Sequence, residues 1–102
     1  MIAQVAIVTA NTETALYTLT AADDLYISGI HVCNPNAAAC NFSLAIKPTG
    51  AETFAKSVLF NACNLDANET FSVGALAIPK NAAVVVKSSA VGVVFTLTGS
   101  FV

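Results

Sequence analysis

His31 is the only histidine of the chain and stands two residues before Cys33, so a histidine-activated nucleophile would have to be built from this pair. On a regular strand the two side chains share a face but sit about 7 Å apart, beyond hydrogen-bond reach. No carboxylate close in sequence can orient the ring, which general-base chemistry requires. The pair is read as packing or subunit contact, and no catalytic residue is expected. Asp23-Asp24 and Asp66 with Glu69 form the carboxylate clusters, both in turn-like sequence. A calcium site needs about six or more oxygens, which neither supplies alone, so they are read as turn-formers or local caps. Cys33, Cys40 and Cys63 make an odd count without paired metal spacing. Cys33 and Cys40 flank the loop 34–39, where a bridge is geometrically allowed. Reduced thiols are the expectation for a protein made inside a cell. Asn41-Phe42-Ser43 and Asn68-Glu69-Thr70 match the glycosylation sequon and are read as accidental. The five glycines are dispersed, so no phosphate-cradling loop is present. Neither cofactor nor metal is expected, and the sequence leaves the binding residues open.

The composition points away from a solitary enzyme. Hydrophobic residues make up 56% of the chain, charged residues 10%, and the mean hydropathy is +0.73. Alanine inflates that figure, yet Val, Ile, Leu and Phe are abundant enough that some apolar surface is expected to face another subunit. Net charge is −2 with a pI near 5.0. Arginine is absent and the four lysines are scattered, which removes the bidentate donors and basic stripe that nucleic-acid binding uses. Polar residues interrupt every apolar run short of the ~18 residues of a membrane span. The opening Met1-Ile2-Ala3-Gln4-Val5 lacks the basic n-region of a signal peptide, so a protein made and used without secretion is expected.

The elements that must position these residues are strands. Short segments rich in Val, Ile, Phe and Thr recur between turn signals along all 102 residues, read as one domain. Strands are predicted near 3–9, 15–20 and 25–33, the last with a β-bulge at Ser28-Gly29, where the apolar phase changes. Residues 42–47 alternate and should bury one face. Residues 53–61, with Phe54, Val58 and Phe60 on one parity and Lys56 intruding, suit an edge strand. Further strands are predicted at 70–73, at 76–79 as its partner or continuation, at 82–87 and from Val93 to the end. Turns are placed at 21–24, 48–50, 65–69 and 80–81. Ala37-Ala38-Ala39 is too short to nucleate a helix. About eight antiparallel strands predict an all-β, jelly-roll-like sandwich. An immunoglobulin-like sandwich is the alternative, without its Cys-Trp-Cys signature, since tryptophan is absent.

Leu16-Tyr17-Thr18-Leu19-Thr20, the strand Tyr26 to Cys33 ending in Cys33-Asn34, Phe42-Ser43-Leu44-Ala45-Ile46, Leu65 to Thr70, and Ile78 to Val86 form an ordered set. Together they resemble small β-sandwich virion proteins of tailed bacteriophages. The chain departs from that pattern at two turns, with Thr20-Ala21-Ala22-Asp23 for a proline–glycine turn and Asn81 where glycine is usual. Asn tolerates a positive φ better than most residues. The resemblance implies a virion structural part, foremost a capsid decoration (cement) protein, commonly a homotrimer, that stabilises the head against the major capsid protein. A tail, neck or fibre-associated component is the alternative. A lectin-like glycan-binding module is a second, for which only Tyr17 and Tyr26 supply tyrosine rings.

Overall fold

The computed structural model describes residues 2–19, 25–47, 58–78 and 81–101. Within them the chain forms eight strands: β1 (Ala3–Ala6), β2 (Thr14–Thr18), β3 (Leu25–Cys33), β4 (Cys40–Lys47), β5 (Val58–Leu65), β6 (Thr70–Ile78), β7 (Ala83–Ser88) and β8 (Val94–Phe101). They make two four-stranded sheets, β1-β8-β3-β6 and β2-β7-β4-β5, with every pairing antiparallel. β1 pairs with β8, β2 with β7, β3 with β6 and β4 with β5. The chain is thus a long hairpin rolled until β3 meets β8 and β4 meets β7. That is the jelly-roll arrangement. It gathers the β1–β2, β3–β4, β5–β6 and β7–β8 connections at one end of the sandwich.

The core lies between the sheets and follows the strand alternation. Val93, Phe95 and Leu97 are buried from one sheet, and Phe42, Leu44, Val84 and Val86 from the other. Phe42 is central: its ring lies 6.4 Å from Phe60, 5.4 Å from Phe71 and 6.2 Å from Phe95, measured between centroids. The predicted bulge is present. Ile27 pairs with Gly99 and Gly29 with Thr98, which leaves Ser28 as the extra residue opposite β8. The strands at 70–73 and 76–79 are one continuous strand, β6. Asn81 takes a φ of 67°, as its place in a turn calls for, and Asn11 and Asn68 do likewise at 57° and 59°.

Two expectations need correction. β4 was expected to bury one face, but Ser43 and Ala45 on its other face are buried as well. Ala45, Ala83 and Val85 form a second small cluster there, with Val58 against it. The predicted 53–61 strand is seen from Val58 and runs past its expected end to Leu65, while residues 53–57, with Phe54 and Lys56, lie outside the described residues. β5 is an edge strand, as expected. Its alternation is broken because Asn61 and Ala62 both face Ser43: Phe42 pairs with Cys63 and Leu44 with Phe60. Ala62 adopts a φ of 51°, and its N–H donates to Ser43 Oγ at 2.9 Å. A bulge of this kind twists an edge away from stray pairing. The predicted turns at 21–24 and 48–50, and Lys80, lie outside the described residues.

Candidate functional site

β3 places His31 on the outer face of its sheet, between Thr96 of β8 and Ser72 of β6. His31 is exposed, and its Nδ1 shares a 2.9 Å hydrogen bond with Ser72 Oγ. Cys33 sits one row further along, between Val94 and Thr70. The ring is thus engaged by a neighbouring hydroxyl, an arrangement suited to a surface contact.

The turn carboxylates serve the chain itself. Glu69 Oε1 accepts from the Asp66 N–H at 2.8 Å, the Glu69 N–H donates to the Asp66 carbonyl at 3.1 Å, and Asp66 Oδ1 accepts from Asn64 Nδ2 at 2.8 Å. These are the local caps that the sequence suggested. Asp23-Asp24 lies outside the described residues. Among the described residues no three His, Cys, Asp or Glu side chains come close enough to hold a metal. Asn41 and Asn68 of the two sequons are exposed. Tyr17 is half-buried and packs against the core, while the Tyr26 side chain lies outside the described set.

All three cysteines are free thiols. Cys33 belongs to one sheet and Cys40 to the other, so the bridge across the 34–39 loop does not form. Burial pushes the Cys40 thiol up from its ordinary range, which lowers its thiolate fraction. Denaturation without reductant should therefore expose three titratable thiols. In the native protein Cys40 should be alkylated more slowly near neutral pH than at higher pH. A single thiol after non-reducing denaturation would contradict this.

The most heavily built part of the molecule is the loop end, and its centre is Asn34. This side chain is fully buried. Its Nδ2 donates to the carbonyls of Ala38 at 3.0 Å, Asp66 at 3.1 Å and Leu65 at 3.4 Å, and its Oδ1 accepts from the Asn36 N–H at 3.1 Å. Asn36 Nδ2 donates in turn to the Val91 carbonyl at 3.0 Å, and its own carbonyl accepts from the Asn68 N–H at 3.2 Å. Gly92 N–H donates to the Ile7 carbonyl at 2.8 Å, and Ser88 Oγ donates to the Ala90 carbonyl. Asparagine side chains thus lock three of the four loops together, and backbone bonds tie in the fourth. Val8 and Val91, 79% and 55% exposed, project from this locked end. Leu59 on β5 is the other large hydrophobic that is exposed among the described residues.

Sequence reasoning missed Asn34. The Cys-Asn strand ending was noticed only as part of a resemblance, and its partners lie up to 32 residues away. Comparison of the chain with protein-family models, curated proteins and solved structures gave no match.

Proposed function

We propose that the chain is a structural subunit of a bacteriophage virion, foremost a capsid decoration (cement) protein that works as a homotrimer on the major capsid protein. The observation that carries this reading is the rigid, lysine-free loop end of a jelly roll, cross-linked through Asn34 and Asn36 and tipped with exposed Val8 and Val91. Pre-organised loops lose little conformational entropy when another protein covers them, and exposed apolar tips gain from being covered. A repeated shell can hold several such small contacts at once, which multiplies weak binding into stable attachment. The sequence resemblance and the low charge support the same reading. Assembly in the host cytoplasm and residence in the virion follow from it.

The experiment is fractionation of particles into heads and tails, followed by mass spectrometry of each. Recovery with heads, in a fixed ratio to the major shell protein, is the expected result. Recovery with tails would transfer the assignment to a tail or neck component, and absence from both would overturn a virion role.

A further inference from the structure

The four lysines and six carboxylates of the chain all fall outside β1, β3, β6 and β8. One whole sheet of the jelly roll therefore carries no formal charge, whereas soluble surfaces ordinarily mix charges of both signs. We infer that the outer face of the β1-β8-β3-β6 sheet is the surface through which the chain associates with a second copy of itself. This rests on the reading of the chain as a self-associating subunit and names the surface. A face that meets the same face of a second copy makes a twofold dimer in place of the trimer, and the assignment is tested apart from any virion.

Several polar groups on that face already satisfy one another. Gln4, Thr96, His31 and Ser72 form one row across all four strands, each paired in register with the next. Gln4 Nε2 donates to Thr96 Oγ1 at 3.0 Å, and His31 Nδ1 and Ser72 Oγ are 2.9 Å apart. In the adjoining row Thr98 Oγ1 donates to the Gly29 carbonyl at 3.1 Å and lies 3.2 Å from Ser28 Oγ. Covering groups that keep their partners avoids the penalty of burying unpaired donors and acceptors. A face of free lysines and carboxylates would not allow this.

Shape and charge favour a second copy as the occupant. Gly29 and Gly74 pair beside the His31 row, and nothing lies within 4 Å of where a side chain on Gly74 would begin. The space over Gly29 is taken by His31 Nε2 and Thr98 Oγ1, 3.4 and 3.5 Å from where its side chain would begin, so the open hollow lies over Gly74 alone, where a neighbour's side chain can sit. Strands of four, eight, nine and nine residues, rising about 3.3 Å per residue and spaced about 4.8 Å apart, present a face of roughly 480 Å². Two such faces bury roughly 950 Å², at the lower bound of about 1,000 Å² for a specific interface, which suits a weak association between small subunits. An uncharged face gives no steering toward nucleic acid or a charged partner, and it meets its own copy without like-charge contact.

Sedimentation velocity at tens of micromolar (roughly, to cover weak-interface affinities) tests this, with circular dichroism to verify folding. The wild type should sediment as an oligomer. Thr96→Lys and Ser72→Lys each place like charges against each other in the interface, and should weaken association by roughly tenfold or more while folding normally. Ser72 is exposed on an edge strand, so Ser72→Lys decides the matter should Thr96→Lys misfold. The double variant Val8→Ser, Val91→Ser should stay oligomeric. A monomeric wild type, lysine variants that still associate, or dissociation of the Val8/Val91 variant instead would each overturn the assignment. Oligomers that survive the lysines would leave the virion reading standing, and particle fractionation decides that reading by itself.

Discussion

Phe42→Ala is expected to cost about 3–5 kcal/mol, the usual range for removing a fully buried aromatic ring. Phe42 is 1% exposed on β4, and its ring touches Phe60 in its own sheet and Phe71 and Phe95 in the facing one. Removing it leaves a void that the rigid facing strands cannot close, so lost dispersion adds to lost burial. A domain of this size holds about 5–15 kcal/mol in all, so the variant should sit near the edge of folding. At about 4–8 °C per kcal/mol the melting temperature should fall by more than about 10 °C. Thermal melts and urea unfolding followed by circular dichroism measure both quantities. A loss below about 1 kcal/mol would show that the two sheets are not held together through this ring cluster.

The parts of the fold legible in the sequence are those fixed by period and turn chemistry. Val93, Phe95 and Leu97 alternate, and they point inward as alternation requires. The phase change at Ser28-Gly29 marks a bulge because an extra residue is what moves apolar side chains from one parity to the other. Asn81 was legible because few residues other than Gly and Asn adopt a left-handed backbone without strain. The stretch of β5 beyond residue 61 was missed for the converse reason. Asn61, Ala62 and Asn64 carry no apolar alternation, and the bulge opposite Ser43 scrambles what is left. The second covered face, at Ala45 and Ala83, was hidden because alanine is equally at home buried or exposed.

The candidate surfaces were less legible than the strands, since each depends on distant pairing. His31 reads from sequence as a packing or contact residue beside Cys33, but its hydrogen-bond partner Ser72 lies 41 residues on. The uncharged sheet is a property of four strands that are not consecutive in sequence. Listing charges along the chain shows that they are few. Only the jelly-roll order shows that one sheet has none.

Asn34→Ala should destabilise the protein by about 2–3 kcal/mol, far more than most loop substitutions. The side chain has two amide hydrogens for three carbonyls, so the long 3.4 Å contact to Leu65 shares a hydrogen with one of the shorter bonds to Ala38 and Asp66. Its orientation is settled by its surroundings, because Oδ1 faces the Asn36 N–H and Nδ2 faces only carbonyls. Alanine takes the amide donor from the Ala38 and Leu65 carbonyls, leaves the Asp66 carbonyl with the Glu69 N–H, and strips the Asn36 N–H of its acceptor. That penalty outweighs the small apolar gain. The space vacated is polar enough to admit a water, which holds the cost to the lower part of the range for such a loss. Asn34→Asp separates the two halves of the network: it keeps the acceptor for Asn36 but sets a charge against three carbonyls. It should therefore be at least as damaging as alanine, and the damage should lessen as falling pH neutralises the carboxylate. Hydrogen exchange locates the effect. In Asn34→Ala the amides of Asn36, Asn68 and Gly92 should exchange faster, while those in β3 and β8 should follow only the global loss. Loop amides unchanged in a variant of normal stability would show that backbone bonds alone hold this end together, and the rigid platform would then have another origin.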